Sequence, residues 1–532
     1  MAQSKSKTKP KSKFKLGKIK AYRGFIFLII MIILVLTLTT YVIADGILMK
    51  SSLLKDKSLI NSICSVLKEI NGKKIYPVQI KAEDLEKVKV LYLNANVKQF
   101  EVDKKYEKDE EKQYYYGSQG YTISFGYEDA LDLIKKQEAE AEAKNEDPNY
   151  VGEEEPEGAP TLSDIMFSYT AEDNISDFSG LGLFKNLEYL VISGTDFNEL
   201  YYYAYYGYQI DFSLDAMKDF KNIGFVRNMA SLKNVSMYNL NATDFSPFEN
   251  LTSLVTLNIQ GCKISDASKF SNLTKLEAVN LSGTSISDIS FAASCPGIKN
   301  LYLGGNSIVD ITPLGNLKNL KNLSLESNQI EDASVLGGLT ALKNLNLSAN
   351  AIKDAGFASK LTALESVNLD SNEIGDASAI FALASLKTIS ANGNKLTGLA
   401  GIEKAKSLET LSVSENEIED ISPLSNLTNL TSLTADSNKI VDISPIEPLK
   451  KNLTVLSLKN NQITDVTPVK DFVNLTTLAL DGNLIEDFSP ISALEELETI
   501  SITGKDNQAF DTGDEGAENP EDTDDHEGHD HD

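Results

Sequence analysis

The sequence predicts an α/β solenoid. The expected form is an arc of short repeats with a parallel β-sheet on its concave face and short 3-10 or irregular turns on its convex side, closed at its N-terminal end by a helical cap. Three observations carry this expectation. Leucines recur with a 22-residue period from residue 232 to 487, an asparagine marks nine of the twelve periods, and an aspartate follows the marker column by four places in all but one.

Each column of the repeat has a physical role. One unit reads Leu317, Leu320, Leu323, Leu325, Asn328, Ile330, Asp332, and the next Leu339, Leu342, Leu345, Leu347, Asn350, Ile352, Asp354. The Leu-x-Leu pair has period two, so it predicts a short strand with both leucines facing inward. A single repeat cannot bury such a face alone; stacked repeats bury a continuous core through their neighbours. The marker recurs as asparagine at 306, 328, 350, 372, 394, 416, 438, 461 and 483, with Leu240, Cys262 and Thr284 in the same column earlier. A buried amide both donates and accepts, so stacked asparagines satisfy backbone groups of adjacent turns. Cys262 reads there as a small buried residue, structural and not catalytic. Only Gly398 breaks the aspartate column. Runs such as Asp310-Ile311-Thr312-Pro313-Leu314 predict an aspartate capping a short helical turn that starts near a proline. Calcium binding by the same ladder would need several oxygens converging on one point.

These units resemble the 22-residue leucine-rich repeats of bacterial internalins. The resemblance extends to the N-terminal side. Leu59, Ile60, Ile63, Val66, Leu67 and Ile70 have helical spacing, Gly72 is placed to end the helix, and Leu85, Val88, Leu91, Leu93 and Asn96 form one repeat. The resemblance implies a helical cap followed by a first repeat, covering about 56–97 and 162–504, and a role in adhesion or host-partner binding. Two departures from the family pattern stand out. Residues 98–161 interrupt the repeats, and no sortase-type sorting motif is present. The expected organisation is a basic segment (1–23), a membrane anchor or signal segment (24–44), cap and first repeat (45–97), a charged, Tyr-containing insertion with an acidic linker (98–161), the solenoid (162–504) and an acidic, His-containing disordered tail (505–532).

The interruptions are rich in tyrosine. Residues 98–161 hold Tyr114, Tyr115 and Tyr116, then Tyr121-x-Ile123-x-Phe125-x-Tyr127, which alternates like a strand, and a helical stretch over 128–145. The second interruption, Tyr201 to Tyr208, reads as a distorted repeat whose strand Ile210, Phe212 and Leu214 would supply. Twelve of the 21 tyrosines lie in 106–127 and 201–208. Tyrosine gives rigid amphipathic contact area, which makes Tyr114, Tyr115, Tyr116, Tyr202, Tyr203, Tyr205 and Tyr206 candidate ligand-binding residues. The competing reading is that these rings pack together and seal a flank of the solenoid. The expected concave face carries Asn322, Ser324, Glu326, Asn344, Asn346, Ser348, Ser366, Asn368 and Asp370, with Tyr238 and Tyr302 its only aromatics in the regular units. Such a face is poorly equipped for a tight protein grip. Asn-Leu-Thr triplets match a glycosylation pattern but follow from the repeat itself.

Charge and composition bound the function. The chain has 532 residues, 42% hydrophobic and 24% charged, which excludes wholesale disorder. Residues 1–24 sum to +9, so with a total of -27 the remainder carries -27 - 9 = -36, and nucleic acid is set aside as a partner. The uncharged run Gly24–Ala44 spans roughly 30 Å as a helix, about one bilayer core. Lysines before it place the N-terminus inside, giving a single-pass cell-membrane protein with its C-terminal domain exported. The alternative is a protein secreted after cleavage near Ala44. Three dispersed cysteines support neither a disulfide scaffold nor a zinc site. All three histidines, His526, His529 and His531, lie in the tail, where with aspartates they form a candidate site for a borderline metal; a solvated tail is the alternative. No cofactor motif or catalytic signature appears, so no enzyme activity is expected. The expected function is a cell-surface recognition scaffold for a macromolecular ligand, a protein in preference to a glycan. A structural envelope spacer, or a surface protein acting through its metal-binding tail, is the alternative.

Overall fold

Leucines two residues apart, repeated every 22, have one way to bury together: as parallel strands stacked repeat on repeat. The computed structural model describes residues 61–65, 85–101, 114–126, 128–146, 166–171, 178–193, 209–210, 220–492 and 494–502. The chain divides into two compact units, Met1–Leu232 and Lys233–Asp532.

In the first unit, residues 61–65 are helical, with Ser62 and Ile63 buried. The rest of the expected cap helix and Gly72 lie outside the described residues. Leu85, Val88, Leu91 and Leu93 are buried as the first repeat requires. Asn96 behaves differently from a marker. Strand β1 (Val90–Glu101) runs straight through it and forms a long antiparallel hairpin with β2 (Tyr114–Gly126). The chain does not turn inward there because residues 97–101 find ladder partners in residues 114–118, with a bulge between Ala95 and Val97. β2 pairs on its other side with β3 (Phe167–Ala171), also antiparallel. β1 pairs in parallel with β4 (Tyr189–Ser193), but only from Val90 to Asn94. The outer half of the hairpin therefore extends past the end of β4. Helix α1 (Glu128–Glu146) follows β2 where the periodicity predicts a helix over 128–145. Phe178, Phe220 and Phe225 pack ring on ring in this unit, Phe178 and Phe220 at 4.1 Å between centroids.

The second unit is the regular solenoid. Thirteen strands, β6 (Asn234–Tyr238) to β18 (Thr499–Ser501), each pair in parallel with the next, among the described residues. The register keeps equivalent residues opposed, as in Leu323↔Leu345. Each strand from β6 to β17 is followed by a left-handed residue and then by the marker column. At Ser327, Ala349, Ser371, Glu415 and Ser437 that residue has φ of 53 to 55°, and Gly261, Gly393 and Gly482 fill the same position elsewhere. The return path is a 3-10 turn, such as Thr312–Asn316 or Ser422–Asn426, replaced once by the short helix α2 (Ser378–Phe381). Phe245, Phe248, Phe270 and Phe291 stack along this wall, the last pair edge to face at 5.9 Å.

The marker column does what its chemistry predicts. Asn372 Nδ2 donates to the carbonyls of Leu369 in its own repeat and Leu347 in the preceding one, both at 2.9 Å. Its Oδ1 accepts from Ile352 N at 3.0 Å. Cys262 replaces the amide with a thiol: Leu240 N donates to Sγ at 3.3 Å, and Sγ points back to Met237 O at 3.7 Å. Burial pushes this thiol up to about 11. Asp266 is itself the N-cap of its turn, as expected, whereas in turns such as that of Asp332 the aspartate acts one residue earlier. Asp332 Oδ1 accepts from Ser334 N at 2.8 Å, two residues on, while the N-cap position itself belongs to Ala333. This is an Asx-type turn that leads into the 3-10 segment.

Candidate recognition surface

The strand that follows the second tyrosine-rich interruption pairs with the hairpin of the first. Strand β5 (Gln209–Ile210) pairs in parallel with β2, Tyr115 opposite Gln209 and Tyr116 opposite Ile210. Gln209 directly follows Tyr208, the last residue of the second interruption. The strand expected of a distorted repeat thus finds its partner in the insertion hairpin. Tyr202, Tyr203, Tyr205 and Tyr206 lie outside the described residues, as do Phe212 and Leu214. The pairing falls on the outer half of the hairpin, beyond the Asn94↔Ser193 end of the β1–β4 ladder.

The insertion also covers part of a sheet face. Leu91 and Leu93 point inward, so Val90 and Tyr92 point outward by alternation. Val90 is nonetheless fully buried, because Ala130, Leu131 and Ile134 of α1 pack on it, with Tyr92, Met166 and Tyr189 at the margin. The Tyr92 and Tyr189 rings lie 6.1 Å apart. Lys89 Nζ sits 3.1 Å from Glu188 and 3.9 Å from Glu128 at the start of the helix. The sequence signal for this cover is the apolar pair Val90 and Tyr92 at outward positions that hold mostly asparagine, serine and threonine in the regular repeats.

On the regular units the outward side chains are largely spent on one another. Asn322 Nδ2 donates to Asn300 Oδ1 and Asn344 Nδ2 to Asn322 Oδ1, each at 2.6 Å. Asp370 accepts from Ser390 Oγ at 2.7 Å and from Asn392 N at 2.6 Å. Asp436 accepts from Ser457 Oγ at 2.7 Å and Lys459 N at 2.8 Å. Ser324 donates to Glu326, and Ser501 to Asp481. Polar side chains here tie adjacent repeats together, which explains their small size. The two aromatics differ. Tyr238 Oη accepts from Asn258 Nδ2 at 2.9 Å, whereas Tyr302 stands 39% exposed. Asn258 Oδ1 is buried with no protein partner.

An open groove of about 580 Å³ is lined by Glu409, Asn429, Thr431, Lys451, Asn452, Thr454 and Asn474. Its asparagines are committed: Asn429 Nδ2 donates to Lys406 O at 2.9 Å and Asn474 Nδ2 to Lys451 O at 2.7 Å. Those asparagines begin Asn-Leu-Thr triplets, so the repeat uses the amide to bridge to the preceding turn. Among the described residues, no three His, Cys, Asp or Glu side chains gather as metal ligands. His526, His529 and His531 lie outside them. Among the described residues no helix is long and apolar enough to cross a membrane, and 24–44 also lies outside.

Parallel ladders, a buried amide column and 3-10 returns together define a leucine-rich repeat protein. Leucine Rich repeat profiles match residues 296–338, 384–426, 406–451 and 451–493, and a single-repeat profile matches 250–268. Among solved structures the chain is similar to an internalin, InlF, of Listeria monocytogenes, with 30% identity, a TM-score of 0.52, and coverage of 53% of this chain and 84% of that one. It is also similar to the plant peptide hormone receptor RGFR1, solved in complex with RGF2, at 17% identity and a TM-score of 0.50, over 62% of this chain and 56% of that one. At that identity the likeness shows the fold alone. No curated protein matches the chain. The chain belongs to the internalin family of leucine-rich repeat proteins.

Proposed function

We propose that this chain is a cell-surface recognition scaffold without catalytic activity, which binds a protein partner through its tyrosine-rich interruptions. The single observation that carries the reading is the pairing of β5 with β2, which sets Gln209 and Ile210, the residues that follow 201–208 in sequence, opposite Tyr115 and Tyr116. Tyrosine is enriched at hot spots because it offers large contact area at low entropic cost. The regular sheet face supports the same reading from the other side, since its polar groups are already bonded to each other. The uncharged run 24–44 tethers the chain to the membrane, and the repeats are exported. The plant peptide hormone receptor RGFR1, solved in complex with RGF2, is consistent with protein ligands on this fold.

The test is crosslinking capture from intact cells with four tyrosines, Tyr202, Tyr203, Tyr205 and Tyr206, replaced by serine. The captured partner is then titrated against the purified variants. Binding weakens by a few kcal/mol, typical of hot-spot loss, while the melting temperature changes little. The control pairs Asn346→Ala with Asn368→Ala on the sheet face and binds nearly normally. Unfolding of the tyrosine variant, or loss of binding in the control alone, would sink the reading in favour of flank packing.

A further inference from the structure

The residue just before each strand forms a column along one edge of the sheet. From Lys343 the column alternates in charge through Glu365, Lys387 and Glu409. Glu365 sits between its two lysines and pairs with both, at 3.3 Å and 3.0 Å. Lys299, Lys321 and Lys343 break the alternation: three lysines stand in consecutive repeats, all partly exposed. Their backbones are bonded in series, Lys321 N to Lys299 O and Lys343 N to Lys321 O, each at 2.8 Å. Adjacent strands lie about 4.8 Å apart, so three positive charges share about 10 Å of edge. Within the column acids only flank the run, Glu277 pairing with Lys299 at 2.9 Å and Glu365 with Lys343. Glu326, farther along its strand, lies over Gly304 and accepts from Ser324. Like charges on neighbouring strands destabilise a sheet. The run is therefore a cost to the fold, and it collects positive charge in a molecule of net charge -27.

The side chains beside this run suit one class of anion. Asn300, Asn322 and Asn344 each follow a lysine by one residue and form the amide ladder, with Asn344 exposed at its end. Asn322 and Asn344 each spend one of two N–H groups on the ladder. Tyr302 stands two residues beyond Asn300 on the same strand face and is exposed. The outward residues opposite it are Asn280 and Ser324, so no apolar pocket is present there to seat a protein hot-spot side chain. Amides that bond hydroxyls, one ring whose flat apolar face covers the C–H face of a sugar, and a row of cations for acid groups are the parts of a saccharide site. We propose that Lys299, Lys321 and Lys343, with the asparagine ladder and Tyr302, dock a linear anionic polysaccharide. Exposed ion pairs such as Lys299–Glu277 contribute little, so the acid groups of the polymer displace them. The site lies wholly within the second unit and shares no residue with the tyrosine-rich interruptions, so it stands or fails independently of protein binding there.

Titration of the full chain in nonionic detergent tests this with an oligogalacturonate, a heparin oligosaccharide, a neutral dextran oligomer and polyglutamate of matched length. An acidic saccharide binds, the tighter of the two identifying the acid group as carboxylate or sulfate, and its affinity falls as salt is raised. Dextran does not bind. Lys321→Glu weakens saccharide binding by about tenfold or more, because reversing the charge replaces an attraction with a repulsion. Its melting temperature holds or rises, since the substitution restores an alternating column. Tyr302→Ser also weakens saccharide binding, and Lys439→Glu, the same change of charge in another column, leaves it as in the parent. Failure of both acidic saccharides to bind overturns the proposal, as does equal weakening by Lys439→Glu, which would reduce the effect to net charge. Polyglutamate bound as tightly as the saccharides, with Tyr302→Ser without effect, would assign the edge to acidic peptides instead. Normal binding in Lys321→Glu together with a lower melting temperature would make the lysines part of the fold alone.

Discussion

The marker asparagine shows how much one side chain can hold. Asn372 bonds three backbone groups, Ile352 N–H and the carbonyls of Leu347 and Leu369, the two carbonyls being shared with the neighbouring markers Asn350 and Asn394. Leucine has nearly the same shape but neither donor nor acceptor. Asn372→Leu therefore costs about 1–3 kcal/mol, the penalty of leaving buried polar groups unmade, read from the midpoint of a urea titration. Ser348→Ala on the outward face serves as the reference and stays within about 0.5 kcal/mol. The preceding column makes the opposite prediction. Glu415 holds φ 55°, a left-handed conformation that crowds its Cβ. Glycine adopts it freely but loses more chain entropy on folding. Relief of the left-handed strain is the larger effect, so Glu415→Gly raises stability by up to about 1 kcal/mol. A lower midpoint in the same titration would show that the entropy cost wins.

At the scale of the element, the 3-10 return is set by its aspartate. Asp244, Asp266, Asp288, Asp310, Asp332, Asp354, Asp376, Asp420, Asp442, Asp465 and Asp487 each accept the N–H two residues on. That bond holds the Asp332 carboxyl below its ordinary value, with the backbone N–H of Ser334 the largest cause. A depressed carboxyl contributes stability above its unfolded value and loses it as pH falls through the folded one. Asp332→Ala thus melts below the parent at pH 7, and the gap closes as pH drops below the carboxylate range. Melting curves at a series of pH values check this, and a gap that widens in acid would refute the assignment. Comparison with the variant separates this effect from the general relief of self-repulsion in a chain of net charge -27.

For the whole molecule, the basic block followed by an uncharged 21-residue run sets the expected topology. The full-length chain partitions with membranes, and protease added outside cells degrades the repeats. Protein sequencing that finds a mature N-terminus at Asp45 would replace the anchor with a cleaved signal.

The sequence by itself determined the repeat. Strand positions, the marker column, the aspartate turns and Cys262 as a structural residue were all legible, because each depends on neighbours exactly one period away. A 22-residue spacing turns a three-dimensional contact into a one-dimensional count. The interruptions were legible only as local elements: the alternation around Tyr121 announced a strand, and residues 128–145 a helix. Tertiary structure alone decided where they went. β1 passes through Asn96 because β2 offers it a ladder, α1 settles on Val90, and β5 pairs with Tyr115 and Tyr116 across almost a hundred residues. Pairings of that kind follow from which backbone edge is left open and which apolar face is left bare, and no period in the chain encodes either.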